Sequence, residues 1–181
     1  MKNVGRIPKS LVGVLALVRT HIVNILLALF VLSLVIKQGP IYWSYYQLKG
    51  TEAHSVLVKA VDGSEVSLPK VGKHVLIFWA TWCPPCKVEL GRINKLVSSG
   101  RIRADQVLAV SVGESAETVD QFAREQKYLF EIAIDEEGLS RAFYKVEATP
   151  TILLINDDKK VEWATMGISP TLEYRIGGFL R

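Results

Sequence analysis

The sequence is poor in cysteine: its 181 residues contain only Cys83 and Cys86. Small secreted proteins that depend on disulfides for their stability carry several cysteine pairs, so this class is excluded. Methionine is equally scarce, with only Met1 and Met166. The two thiols are three positions apart and can pair only with each other or act together.

Acidic residues are absent from the first 50 positions, where six basic residues give a charge of +6: Lys2, Arg6, Lys9, Arg19, Lys37 and Lys49. The other 131 residues hold 16 basic and 18 acidic side chains, a charge of −2, which accounts for the net +4. A nucleic-acid-binding domain needs a basic face on its folded part. The near-neutral remainder therefore argues against that class.

An uncharged run of 17 residues separates Arg19 from Lys37. This length is at the lower limit of the about 17–25 residues that span a bilayer core. Aromatic residues of the segment 42–46 follow where an interfacial belt would lie, and the excess of positive charge precedes the run. We predict a transmembrane anchor at 20–36, a cytoplasmic segment at 1–19 and a linker at 37–53.

Two alternatives to an anchor are a cleaved signal peptide and a buried core helix. No A-x-A cleavage pattern follows the apolar run. A core helix would carry a polar stripe, whereas this run, after Thr20 and His21 at its start, contains only Asn24 and Ser33 as polar residues. The apolar residues 11–18 either extend the helix past Arg19 or lie along the inner membrane surface.

Residues 54–181 alternate between strand and helix patterns. An Asp62-Gly63 pair between two alternating runs predicts a hairpin, and the apolar run 74–79 predicts a strand buried on both faces. Further strands are predicted at 106–112, 130–134, 151–155 and 160–166, with helices after Pro84, after Ser115, at 136–144 and after Pro170. This order predicts an α/β sandwich around a mixed sheet.

The cysteines lie where a buried strand runs into a helix. Unpaired N–H groups and the helix dipole stabilise a thiolate at a helix N-terminus, which lowers the pKa of such a thiol. Spacing of three residues brings the second sulfur within reach of the first. Cys83 is therefore predicted to attack a substrate disulfide as an exposed nucleophile, and the more buried Cys86 to resolve the mixed disulfide.

Other roles for the two cysteines are weaker but remain open. A zinc site needs about four ligands, and neither a second cysteine pair nor a spaced histidine pair is present. Copper carriage would suit two soft thiolates, although no methionine is nearby in sequence. An inert structural disulfide would close a ring too short to restrict the unfolded chain much.

The segment 78–86, FWATWCPPC, resembles the active-site segment of thioredoxin-fold proteins. Residues 54–181 are similar to the membrane-anchored, extracytoplasmic TlpA/ResA/CcmG group of thiol–disulfide oxidoreductases. The resemblance implies a thioredoxin-like sandwich with an added N-terminal β-hairpin and a central helix–strand insertion at about 115–134. It implies no cofactor and no metal.

The resemblance also assigns further site residues. Thr149-Pro150 matches the family's cis-proline, which would face the cysteines and let the Thr149 backbone pair with a substrate. Glu89 matches a glutamate that relays protons or tunes Cys86, the alternative being an ordinary glutamate on a solvated helix face. Trp82 would contact substrate or shield the cysteines, and Ile77 replaces the buried aspartate of thioredoxins.

The implied function is thiol–disulfide exchange with cysteines of exported proteins, at the outer face of a bacterial inner membrane. Reduction is favoured over oxidation because the group is mostly reducing, and electrons would come from a membrane thiol donor similar to DsbD, CcdA or ScsB proteins. The segment 147–151, EATPT, differs from the cytochrome c maturation branch and resembles ScsD-like proteins linked with copper tolerance. A copper-binding carrier is the alternative from a different class.

Overall fold

A computed structural model describes residues 19, 21–36, 46 and 48–181. The chain divides into two compact units, Met1–Trp43 and Ser44–Arg181. In the first unit, residues 21–36 form a helix (α1), and its large apolar side chains are exposed, from 40% at Leu34 to 65% at Ile36.

The predicted membrane anchor is not confirmed by α1. Among the helices within the described ranges, none has both the length and the apolar character needed to cross a membrane. Thr20, most of the predicted cytoplasmic segment 1–19 and most of the predicted linker 37–53 lie outside the described residues.

The second unit is built on a seven-stranded sheet in the order β2-β1-β5-β4-β3-β6-β7. The central pairs β3–β4 and β4–β5 are parallel and the other pairs antiparallel, which confirms the predicted mixed sheet. The strands are β1 Val56–Ala60, β2 Glu65–Leu68, β3 His74–Trp79, β4 Val107–Val112, β5 Glu131–Asp135, β6 Thr151–Ile155 and β7 Val161–Met166. The helices are α2 Pro84–Ser98, α3 Ala116–Gln126, α4 Leu139–Phe143 and α5 Leu172–Phe179, with a short 3₁₀ turn at Ala104–Gln106.

Every residue of β3 is buried, as its continuous apolar run predicts. Alternate residues point to opposite faces of a sheet. Val75, Ile77 and Trp79 belong to the core that α2, α3 and α5 cover. On the other face, the Phe78 ring packs against Tyr144, which follows α4, with 5.3 Å between ring centres. The sheet is therefore covered on both sides, which is the predicted sandwich.

Both predicted additions to the core are present. The β1–β2 hairpin turns at Asp62-Gly63, where Gly63 has a φ of 85° that a side chain would disfavour. The central insertion consists of α3 and β5, and β5 joins the sheet between β1 and β4. The hairpin thus extends the sheet through the inserted strand.

Helix α4 is shorter than the predicted helix at 136–144. The carboxylate of Asp135, at the end of β5, accepts hydrogen bonds from the N–H groups of Leu139 and Arg141, at 2.8 and 3.1 Å. This cap fixes the helix start after Gly138, whose φ is 73°. A carboxylate from the preceding strand, rather than local helix propensity, determines where α4 begins.

The end of the predicted linker packs against the sheet. Leu48 is buried, and the N–H groups of Gly50 and Ala53 donate to the carbonyls of Val161 and Lys159, each at 2.7 Å. The Val161 N–H donates in return to Thr51 at 3.0 Å. Residues 50–53 therefore cover the first part of the β7 edge.

His74, at the start of β3, is a buried titratable group. It is 1% exposed, its Nδ1 lies 2.8 Å from the Gly72 carbonyl oxygen, and its Nε2 has no hydrogen-bond partner within the described part of the chain. Because a carbonyl only accepts, Nδ1 carries the proton. Burial lowers the pKa of His74, and Lys70 lowers it further.

We expect acid to destabilise the protein through His74. The unfolded chain takes up a proton near the ordinary pKa of about 6.5, whereas the folded chain does so only at lower pH, so stability falls as pH drops below that value. Denaturant unfolding between pH 7.5 and 5 tests this, with His74→Gln as the variant that retains a donor but does not titrate. The wild type should lose more stability than the variant, by at most about 1.4 kcal/mol per pH unit. Equal slopes would contradict the assignment.

Candidate active site around Cys83 and Cys86

The two cysteines lie at the junction of β3 and α2. Cys83 is the N-cap of α2, with extended backbone angles of −92° and 105°, and Pro84 and Pro85 fill the first helical positions. Prolines are accommodated there because first-turn N–H groups lack an intrahelical acceptor. The sulfurs of Cys83 and Cys86 are joined in a disulfide, with 5.3 Å between the Cα atoms.

The sulfur of Cys83 lies among polar backbone groups. The Cys86 N–H donates to Cys83 Sγ at 3.3 Å, and the Thr149 carbonyl oxygen lies 3.4 Å from the same sulfur. Cys83 is 3% exposed and Cys86 is fully buried. The sequence predicts an exposed Cys83, but its side chain is nearly buried. It is still the more accessible of the two cysteines.

The Thr149–Pro150 peptide bond is cis, as the resemblance implied. The Pro150 carbonyl accepts a hydrogen bond from Gly167 N–H at 2.8 Å, which brings the segment after β7 beside this loop. Ile168, the next residue, is 54% exposed, and Trp82 is 70% exposed. Sequence reasoning missed Ile168 because only the tertiary contact of Gly167 places it near the site.

Trp79 and Ile77 are core residues. Both are fully buried, and the Trp79 ring packs against Phe122 and Tyr128 with centroid distances of 5.8 and 6.1 Å. Burial raises the pKa of Tyr128 to about 12. Trp79 therefore packs beneath the active-site loop, whereas Trp82 carries the exposed aromatic surface.

Glu89 is fully buried, so its interpretation as an exposed glutamate on a solvated helix face is wrong. Its carboxylate accepts a hydrogen bond from Ser169 N–H at 2.6 Å and forms an ion pair with Arg92 Nη1 at 3.1 Å. The same Nη1 donates to the Ser169 carbonyl at 2.8 Å. Glu89 and Arg92 together tie α2 to the segment that carries Ile168, and the role of Glu89 as a proton relay stays a prediction.

Glu114 is a second carboxylate at this site, and sequence reasoning missed it. One oxygen accepts hydrogen bonds from Thr81 N–H at 2.8 Å and from Ser111 Oγ at 2.7 Å. The other oxygen accepts a short hydrogen bond from Thr81 Oγ1. A signal was available, because Glu114 follows β4, and the carboxyl ends of parallel neighbours such as β3 and β4 meet at one sheet edge.

The histidines and acidic residues of the second unit do not converge. Across the described positions, no group of three or more His, Cys, Asp or Glu side chains could hold a metal ion. His54 packs beside Phe143, with 5.9 Å between ring centres, and His74 is at the opposite end of β3 from the cysteines.

Comparisons with known proteins agree with this geometry. The model of the AhpC/TSA family matches residues 49–164. Sporulation thiol-disulfide oxidoreductase A of Bacillus subtilis is 30% identical over 115 residues, which cover 61% of this chain and 70% of that protein. Thiol-disulfide oxidoreductase ResA of Oceanobacillus iheyensis is 34% identical over 122 residues, which cover 66% of this chain and 62% of that protein.

Among solved structures, the crystal structure of StoA from Bacillus subtilis is similar, with a TM-score of 0.59 and 26% identity. The match covers 69% of this chain and 96% of that one. The shared fold is the α/β sandwich described above.

Proposed function

The chain belongs to the AhpC/TSA family and is a thiol–disulfide oxidoreductase, and from this premise we propose that Cys83 and Cys86 exchange disulfides with cysteine-containing substrate proteins. The main support for this proposal is the environment of Cys83 Sγ. It lies at the N-terminus of α2, within 3.3 Å of the Cys86 N–H, and is already bonded to its partner sulfur.

The first step is attack by the Cys83 thiolate on one sulfur of a substrate disulfide. The substrate S–S bond breaks, a Cys83–substrate disulfide forms, and the other substrate sulfur leaves as a thiolate that takes a proton from water. The Cys86 N–H and the α2 dipole stabilise the attacking thiolate.

The second step closes the ring. Cys86, after losing its proton to solvent, attacks Cys83 Sγ, the mixed disulfide breaks, and the second substrate sulfur leaves and is protonated. The substrate gains two electrons and two protons, and the cysteine pair loses the same number. In the closed ring the Cα atoms of Cys83 and Cys86 are 5.3 Å apart, within the range of ordinary disulfides.

We assign substrate binding to the surface beside Cys83. Trp82 offers an exposed aromatic ring, and the Thr149 backbone lies against the sulfur, where an extended substrate segment would pass. Thr149 and Pro150 then position the substrate backbone. The substrates we propose are exported proteins that carry cysteines.

We propose that the direction in the cell is reduction, with a membrane thiol donor returning electrons to Cys83–Cys86. The resemblance to a mostly reducing group supports this direction. Alkylation of free thiols in acid-quenched cells tests it. Mostly reduced cysteines are the expected result, whereas a pair found mostly as disulfide would favour an oxidase. Stoichiometric Cu(I) binding without disulfide reduction would favour a copper carrier.

We also propose an extracytoplasmic location with the N-terminus inside. The charge of +6 in the first 50 residues, the uncharged run at 20–36 and the exposed apolar side chains of α1 support membrane attachment. The protein should stay with membranes in alkaline extraction, and protease should digest its second unit in intact spheroplasts. Release at alkaline pH or protection from protease would contradict this location.

A further inference from the structure

We infer that Glu114 is a positioning residue that holds the active-site loop, residues 80–82, in the conformation that presents Trp82 and Cys83 to a substrate protein. The inference rests on the proposed function and adds a residue to it. Glu114 lies outside the Cys-Pro-Pro-Cys segment and belongs to the turn between β4 and α3.

The sheet brings this turn to the active-site loop. Trp79, the last residue of β3, pairs with Ser111 near the end of β4. The segments that follow the two strands therefore start side by side at the same edge of the sheet. Gly113 has a φ of 73°, and its N–H donates to the Asp135 carbonyl at 2.9 Å. Glycine adopts this left-handed conformation readily, whereas residues with a side chain rarely do. The bend at Gly113 sets the start of Glu114, whose carboxylate then reaches Thr81.

The contact secures the centre of the loop. Thr81 donates from both its backbone N–H and its hydroxyl, and the two bonds go to different oxygens of one carboxylate. Ser111 Oγ donates to the same carboxylate at 2.7 Å and fixes its orientation. A part-buried N–H group that has no hydrogen-bond acceptor costs free energy. If the carboxylate of Glu114 is removed, Thr81 should therefore shift until its N–H finds another acceptor.

The loop passes from a buried residue to an exposed one. Ala80 is buried, and its carbonyl accepts from Cys83 N–H at the long distance of 3.3 Å, whereas the neighbouring Trp82 is 70% exposed. Thr81 is therefore the attachment point from which Trp82 projects. The N–H groups beside Cys83 Sγ belong to α2, so the thiolate itself is stabilised separately from Glu114.

Three substitutions separate the positioning role of Glu114 from its charge. Glu114→Gln keeps the length and can keep all three contacts, because the amide oxygen accepts from Thr81 N–H and Ser111, and the amide N–H donates to the Thr81 hydroxyl. Glu114→Ala removes every contact. Thr81→Val removes the hydroxyl but keeps the backbone donor and the side-chain shape.

Asp135→Asn is the matched control. Asp135 is also a carboxylate at the end of a strand, and it accepts from Leu139 N–H, Arg141 N–H and Ser140 Oγ. Its donors belong to α4 and not to the active-site loop. This variant should match the others in any general loss of stability while leaving exchange within about twofold of the wild type.

The full-length protein and these variants are compared for reduction of a protein disulfide and for the pH profile of Cys83 alkylation. We expect Glu114→Ala to lower kcat/KM about tenfold, mainly through KM, Thr81→Val to lower it less, and Glu114→Gln to stay within about threefold of the wild type. The midpoint of the alkylation profile should not move. If Gln is as slow as Ala with a shifted midpoint, the role is one of charge and the inference fails. It also fails if Ala exchanges at the wild-type rate.

Hydrogen exchange of the Thr81 amide tests the contact without any substrate. The amide should be protected in the wild type and in Glu114→Gln, and should exchange at least about tenfold faster in Glu114→Ala. If no variant, including the wild type, reduces a protein disulfide, the proposed function fails while this readout still decides whether Glu114 holds the loop. Equal exchange in all variants would overturn the inference independently of the proposed function.

Discussion

Replacement of Cys83 by serine is expected to abolish disulfide exchange, lowering the rate by about 10³-fold or more. A serine hydroxyl is not ionised at neutral pH, and the N–H groups at the start of α2 do not supply enough stabilisation to make it a nucleophile. Cys86 should not take over, because it is fully buried while Cys83 retains the small exposed fraction of the pair.

The assay for Cys83→Ser is reduction of a protein disulfide by the pre-reduced protein, followed as substrate thiols appear. Reduced wild-type protein is the control for the fold, since it also lacks the cross-link and a ring closed over three residues adds little stability. A variant that retained more than about a tenth of the wild-type rate would show that Cys83 is not the attacking residue.

Replacement of Cys86 by alanine should separate the two steps of the reaction. Cys83 can still attack, so the first substrate thiol should be released, but no thiol remains to resolve the mixed disulfide. Alanine suits this position because Cys86 lies in the apolar core among residues of α2 and β3. We expect turnover to stop after one substrate and covalent Cys83–substrate adducts to accumulate.

Non-reducing electrophoresis of cells that carry Cys86→Ala measures these adducts, and a thiol reductant should dissolve them. The double variant Cys83→Ser with Cys86→Ala is the matched control and should give none. Adducts that persist in the double variant would arise from another residue. An absence of adducts across growth conditions would argue against exchange with proteins.

Most of the fold could be predicted because its strands and turns show in short stretches of the sequence. The run 74–79 is apolar throughout, as a strand covered on both faces must be, and the Asp62-Gly63 pair marks the hairpin turn. Helix α4 was predicted too long because its start depends on Asp135, a residue of the preceding strand. The spacing of apolar residues does not show which carboxylate caps the helix.

The site could be predicted only where its residues adjoin the cysteines or match a known motif. Cys83, Cys86 and the Thr149–Pro150 bond lie together as expected. The sequence places Glu89 one helical turn after Cys86. Its burial against Arg92 and Ser169 could not be predicted, because Ser169 lies 80 residues further along the chain. The position of Glu114 after β4 places it near the active-site loop, but its contact with Thr81 depends on the register of β3 and β4, which local patterns do not show.

Mass spectrometry of the reduced, full-length protein after a single turnover with a protein disulfide identifies which cysteine attacks and which one resolves. We predict that one Cys83–Cys86 disulfide forms for each substrate disulfide lost, and that rapid quenching captures the intermediate with substrate attached to Cys83. Substrate attached to Cys86, or substrate thiols formed while both cysteines stay reduced, would contradict this prediction.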